Sequence, residues 1–142
     1  MKCDKSYSRN LVLIMSNKTV ADVMIELGNF PVLPEGAVLK KALDQMTLYK
    51  LGVACIIDRQ GTLVGIVTDG DLRRILLGKQ SPLPALLVTD ALEFSSPHPK
   101  TVTASDSIAH CIEVMRASRI SDIPVVGPKQ ELLGIVHFHS II

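Results

Sequence analysis

Apolar positions along this chain fall into short continuous runs and longer periodic ones, and the two kinds alternate. Val53-Ala54-Cys55-Ile56-Ile57 and Leu63-Val64-Gly65-Ile66-Val67 are compact, largely β-branched runs, the mark of buried strands. Between them Asp58-Arg59-Gln60-Gly61 supplies a hairpin turn, with glycine where positive φ is wanted. Ahead of the pair, Leu39, Ala42, Leu43, Met46 and Leu51 recur at helical spacing while Lys40, Lys41 and Asp44 face away. This predicts an amphipathic helix ended by Gly52. Leu72, Ile75 and Leu76 mark another helix, running from the second strand to Leu77 and closed by Gly78. Near the start, Thr19 caps a short helical turn through Met24, and Phe30 to Leu33 is a brief extended segment stopped by Pro34.

The pattern then begins again. Gly65-Ile66-Val67 recurs as Gly134-Ile135-Val136, 69 residues later, and at that offset Ala42 and Met46 fall on Cys111 and Met115. Ile56-Ile57 falls likewise on Val125-Val126, and Asp22-Val23-Met24 meets Asp90-Ala91-Leu92 one residue out of step. The chain is therefore expected to be α+β, built from two β-α-β-β-α repeats packed as one pseudo-symmetric module. Residues 1–16 form an N-terminal arm, 17–78 the first repeat, 79–87 a linker around Ser81-Pro82-Leu83-Pro84, and 88–142 the second repeat. A unit this small cannot cover its own sheet, so the copies should pack sheet against sheet.

Composition acts mainly by exclusion. The 142 residues are 47% hydrophobic and 20% charged, which suits a globular chain rather than a disordered one. Fifteen basic and 14 acidic residues leave a formal charge of +1 with no basic stripe, and tryptophan is absent. No nucleic-acid partner is expected on those grounds. No run approaches the roughly 18 apolar residues of a membrane span. Leu11 to Met15, behind Lys2, Lys5 and Arg9, is too short for a signal peptide and lacks a small-residue cleavage site; Met15 is an alternative start. Cys3, Cys55 and Cys111 form an odd, scattered set. It fits a reducing cytoplasm, with Cys55 and Cys111 as small core residues.

Candidate chemistry gathers where the second strand turns into its helix. Thr68 or Asp69 can cap that helix, and its free N–H groups and dipole favour an anion such as a phosphate. Thr68 can donate to such a phosphate, and Asp71 is an acceptor suited to paired ribose hydroxyls. The plainer alternative is a capped helix and nothing more. Of Arg73 and Arg74, one could reach a phosphate, but adjacent helical residues diverge by about 100°. Arg116 and Arg119 are further candidates for an anionic ligand. His137 and His139 could share a face, yet no third ligand accompanies them, so no metal is expected. Asp58, Asp69 and Asp71 lack a nucleophile or an oriented base, so no catalytic residue is assigned.

Gly65-Ile66-Val67-Thr68-Asp69-Gly70-Asp71 resembles the Gly-h-x-Thr/Ser-x-x-Asp ending of a CBS domain, and the two copies resemble the tandem CBS pair, or Bateman module. The resemblance implies that Thr68 meets phosphate and Asp71 ribose. Gly65, Arg73 and His137 complete the candidate ligand-binding set. In the second copy His137 stands for Thr68 and Ser140 for Asp71, so that motif is degenerate. Thr68-Asp69-Gly70-Asp71-Leu72-Arg73-Arg74 with His137-Phe138-His139 is similar to the CBS pair ending arabinose 5-phosphate isomerases. The isomerase domain and its catalytic residues are not among these residues, so the chain is an excised regulatory half or a stand-alone relative. The implied function is non-catalytic: a cytoplasmic, homodimeric regulatory module binding a nucleotide or nucleotide-sugar between its repeats, with no cofactor. It would control a sugar-isomerase domain or a related sugar-nucleotide enzyme. Gly52-Val53 and Ser121-Asp122 stand where many nucleotide-binding pairs carry basic residues. That departure weakens the case for tight binding of ATP or AMP, and the isomerase resemblance suits a nucleotide-activated sugar acid better; an adenine nucleotide and a CMP-sugar are the two candidate regulatory ligands. Met46, Leu76, Leu77 and Met115 are the expected dimer contacts. A structural docking module with a decayed site is the alternative.

Overall fold

The computed structural model describes residues 17–78 and 80–141, so the expected arm over 1–16 lies outside the described residues. The chain runs α1 (Val20–Val23), β1 (Ile25–Glu26), β2 (Val32–Pro34), α2 (Leu39–Tyr49), β3 (Val53–Ile57), β4 (Leu63–Thr68) and α3 (Asp69–Gly78). It continues through α4 (Leu83–Leu87), a 3₁₀ turn (Ala91–Phe94), β5 (Val102–Thr103), α5 (Ile108–Ser118), β6 (Asp122–Val126), β7 (Leu132–His137) and a second 3₁₀ turn (Phe138–Ser140). The two continuous apolar runs are thus β3 and the bulk of β4. They pair antiparallel with Val53 opposite Thr68 and Cys55 opposite Ile66. The second copy repeats this with Asp122 opposite His137 and Pro124 opposite Ile135. Each hairpin turn holds one residue at positive φ, Gly61 at 84° and Gln130 at 63°.

Two sheets result, β2-β3-β4 and β1-β7-β6-β5. They meet through Phe30, Val53, Cys55, Leu132 and Ile135, all buried, which realises the expected sheet-on-sheet packing. Each outer face is covered by its own helix: Leu39, Ala42 and Met46 of α2 on one side, Ile108, Cys111 and Met115 of α5 on the other.

The repeats of sequence are not the halves in space. β1 leaves the first repeat and pairs antiparallel with β7, Ile25 opposite Ile135. α1 goes with it, Val20 N–H donating to the Asp106 carbonyl at 2.8 Å. In return, the opening segment of the second repeat crosses to the first sheet. Ser96 bridges Ile66 of β4, and Ala91 N–H donates to the Ala37 carbonyl at 2.8 Å. Glycine permits both approaches. A Cβ on Gly134 would lie 2.7 Å from the Ile25 carbonyl oxygen, and one on Gly65 would lie 2.4 Å from Ser95 Oγ.

Several local expectations change. Lys50, not Gly52, ends α2, taking the left-handed conformation at φ 56°; Gly52 instead makes room for the Asp69 carboxylate, 2.4 Å from where its Cβ would be. Met46 and Met115 are 6% and 1% exposed, so they belong to the core and not to a dimer face, whereas Leu76 and Leu77 are 60% and 83% exposed. The expected linker holds α4. After β7 only a 3₁₀ turn follows among the described residues, where the repeat calls for a helix. No helix of the described residues is long and apolar enough to cross a membrane.

Gly134→Ala is expected to lower stability by about 1–3 kcal/mol, because the obstruction is backbone that cannot rotate away; thermal unfolding checks it. The buried thiols carry a second expectation. Burial, with a smaller push from Asp122, raises Cys55 to about 12, and burial with Asp106 raises Cys111 to about 11. Both thiols stay protonated in the folded protein after unfolded thiols have ionised, so their contribution is complete below about pH 9 and is lost as pH rises toward those values. Denaturant midpoints measured from pH 8 to 11 should fall, and fall less in Cys55→Ala.

Candidate functional site

The two hairpins bring their open ends to the same edge of the molecule. β4 ends in Thr68, β7 in His137, and β6 begins at Asp122. The crossed-over segment Ser96–Lys100 and the end of α5 wall the remaining sides. Between them lies a cleft of about 700 Å³.

One wall is the junction of β4 with α3, and its geometry is that of a helix cap. Asp71 Oδ2 accepts from Thr68 N–H at 2.9 Å and from the Thr68 hydroxyl at 3.0 Å, while Thr68 Oγ1 accepts from Asp71 N–H at 3.2 Å. Each side chain thus satisfies a backbone donor of the other's residue. The sequence uses the same Thr-x-x-Asp device twice more. Thr19 N–H donates to Asp22 at 2.9 Å, and Thr103 N–H to Asp106 at 2.8 Å. Only the Thr68 pair opens onto the cleft, and its Asp71 is buried at 6% exposure. Arg74, one turn along α3, forms an ion pair with Asp71 Oδ1.

Facing this wall, His137 Nδ1 lies 2.6 Å from Asp122 Oδ1, and the His139 ring stands 5.3 Å from the His137 ring. Arg119 caps α5 in the left-handed conformation at φ 54°, the counterpart of Lys50 69 residues earlier, and enters the lining. Lys100 and His98 come from the crossed-over segment. The cationic side chains Arg74, Lys100 and Arg119 are matched by Asp69, Asp71 and Asp122. His98, His137 and His139 complete the polar lining.

Of the sequence-derived candidates, Thr68, Asp71 and His137 line one cleft. Gly65 and Arg73 do not. Gly65 lies inside the sheet against Ser95, and Arg73 is exposed on a face of α3 turned from the cleft, so Arg74 takes the place expected of it. Arg119 enters the lining, whereas Arg116 does not. His98 and Lys100 were not foreseen. The repeat held a signal for His98, since the first copy's Phe30-Pro31 becomes His98-Pro99 in the second, a buried ring exchanged for an exposed imidazole.

Two sheets exchanging their leading segments around a shared cleft define a tandem pair of small α+β modules. A family model for the CBS domain matches residues 10–78 and 90–142, and the chain belongs to that family. Arabinose 5-phosphate isomerase KdsD of Pseudomonas aeruginosa is 31% identical over 123 residues, 87% of this chain and 36% of that protein. The chain spans 35–42% of the length of the curated relatives it matches first. Among solved structures, CBSX2 in complex with AMP superimposes with a TM-score of 0.77 at 24% identity, covering 88% of this chain and 93% of that one. The CBS pair of MJ0100, in complex with 5′-methylthioadenosine and S-adenosyl-L-methionine, gives 0.72 at 22%, covering 87% and 92%.

Removing the cap without touching the carboxylate should cost stability even with no ligand present. Thr68→Ala is expected to destabilise by about 0.5–2 kcal/mol in chemical denaturation, and an unchanged midpoint would show that Thr68 does not hold the helix.

Proposed function

We propose that this CBS pair is a non-catalytic regulatory module that binds a nucleotide or nucleotide-activated sugar in the cleft between its repeats. The observation that carries the reading is the buried carboxylate of Asp71, held at a helix N-terminus beside Thr68 and opening onto a cleft with Lys100 and Arg119 on other walls. A carboxylate so placed accepts from paired hydroxyls, and the helix terminus and the cations suit a phosphate. A ligand filling the cleft touches β4 and α3 on one side and β6, β7 and α5 on the other. It therefore favours one arrangement of the halves over others, and the shift in population is the signal.

The AMP of CBSX2 and the adenosyl ligands of MJ0100 support the nucleotide class. The likeness to KdsD supports control of a sugar-phosphate isomerase or related sugar-nucleotide enzyme, with a CMP-activated sugar acid as candidate feedback ligand beside adenine nucleotides. The setting we propose is cytoplasmic. Leu76 and Leu77, exposed side by side on α3, are the residues we assign to a homodimer contact.

A second reading, a purely structural docking module, draws on one observation: Thr68 and Asp71 already satisfy one another. Thermal unfolding against AMP, ATP, S-adenosylmethionine, CMP and a CMP-activated sugar acid separates the two. A ligand at about a hundredfold its dissociation constant should add roughly 2.7 kcal/mol, several degrees in a domain this size. The shift should vanish in Asp71→Ala whatever that variant's starting midpoint. No shift with any of these leaves the docking module as the better account.

A further inference from the structure

The bonds around Asp71 raise a question of access. Its Oδ2 is shared by the Thr68 N–H and hydroxyl, and its Oδ1 is covered by the Arg74 guanidinium. The acceptor that a pair of ribose hydroxyls would need is already in use. The two partners differ sharply in exposure, with the Asp71 side chain at 7% and that of Arg74 at 72%. The carboxylate is fixed in the fold, and the guanidinium lies over it from the solvent side. Its second nitrogen, Nη1, reaches back to 4.0 Å from where a Cβ on Gly70 would stand, above the first turn of α3. Gly70 has no side chain to fill that space.

We propose that Arg74 is an exchangeable counter-ion of the cleft: it closes Asp71 in the free protein and moves to the ligand's phosphate when hydroxyls take the carboxylate. The inference rests on the nucleotide reading above and states how that site selects. A phosphate beside Gly70 would meet Arg74 and the helix N–H groups together, so the guanidinium leaves one oxyanion for another with little net loss. A nucleoside offers hydroxyls but no new partner for the arginine, and must compete with it for Oδ1. Inorganic phosphate can draw Arg74 away but leaves Asp71 uncovered. The cleft thereby prefers molecules that join a vicinal diol to a phosphate over either part alone. Only the arginine of this pair is exposed, so it can leave toward solvent or a phosphate provided that incoming hydroxyls take its place on the buried carboxylate. Arg73, exposed and turned from the cleft, is the internal control.

Titration calorimetry on the full chain would use AMP with adenosine, CMP with cytidine, and inorganic phosphate, against the wild type, Arg74→Gln and Arg73→Gln. Circular dichroism would verify folding of both variants. For whichever base binds, Arg74→Gln should weaken the monophosphate by about tenfold, the loss of one charged phosphate contact. The same change should leave the nucleoside as tight or tighter, since Oδ1 is now free. These opposite movements are what a merely structural arginine would not produce, and Arg73→Gln should move neither ligand. Equal weakening of nucleotide and nucleoside, or no change in either, overturns the exchange while leaving the nucleotide site standing. Failure of both monophosphates to bind the wild type at millimolar concentration removes the nucleotide site and the exchange together.

Discussion

The structure depends on how closely the leading segment of each repeat can approach the other repeat at Gly65 and Gly134. Each lies on the second strand of its hairpin, 69 residues apart, and each faces the leading segment of the other repeat. At Gly134 the approach lets β1 lie on β7, and at Gly65 it makes room for the Ser95 and Leu92 side chains beside the Ser96 bridge to β4. The exchange turns two marginal units into one core. A three-stranded sheet of this size buries too little alone, whereas the crossed segments bring Val20 into one helix-covered cluster and Ala91 into the other. It also delivers His98 and Lys100 to the cleft, because the crossing of Asp90–Ser96 aims the following residues between the hairpin ends. Fold and site have one cause.

The Thr-x-x-Asp pattern shows why the site could be found and also misread from sequence. Locally it is a capping device, and the chain uses it where no cleft exists, at Thr19 and Asp22 on an exposed turn. What sets Thr68 and Asp71 apart is burial and company, neither of which is local. The same lack explains Arg73 and Arg74. Helical geometry says that two adjacent side chains diverge, but only the position of Asp71 three residues before Arg74 chooses between them.

Much of the fold was legible in the chain. β3 coincides with its apolar run because a strand buried on both faces admits little else, the half-buried β4 contains its own run, and the offset of 69 residues exposed the duplication. The exchange was not legible, since β1 is two residues long and has no periodicity to read. Met46 and Met115 were assigned outward although each stands four residues after Ala42 or Cys111, on the stripe that faces the sheet. Lys50 ends α2 because the turn closes two residues earlier than the glycine suggested. Its counterpart Arg119 does the same in α5, so the left-handed position is a property of the repeat and not of the residue.

The two hairpin ends, finally, are equivalent in backbone and opposite in chemistry. The pair Val53 and Thr68 becomes, at the same register, Asp122 and His137. In the second half the strand-end side chain finds its partner across the sheet at 2.6 Å, so that end is closed by its own hydrogen bond. In the first half Thr68 faces a buried valine, and its polar partners come only from the turn that follows. No buried side-chain nitrogen or oxygen among the described residues lacks a partner. At its buried positions the cleft offers a ligand no free bond and can only trade those it has, whereas Lys100 and Arg119 face it from other walls. The trade is easiest where one partner is fixed and the other exposed. In the described structure that condition is met at the first junction by Asp71 and Arg74, and not at the second, where Asp122 and His137 are both held in the sheet.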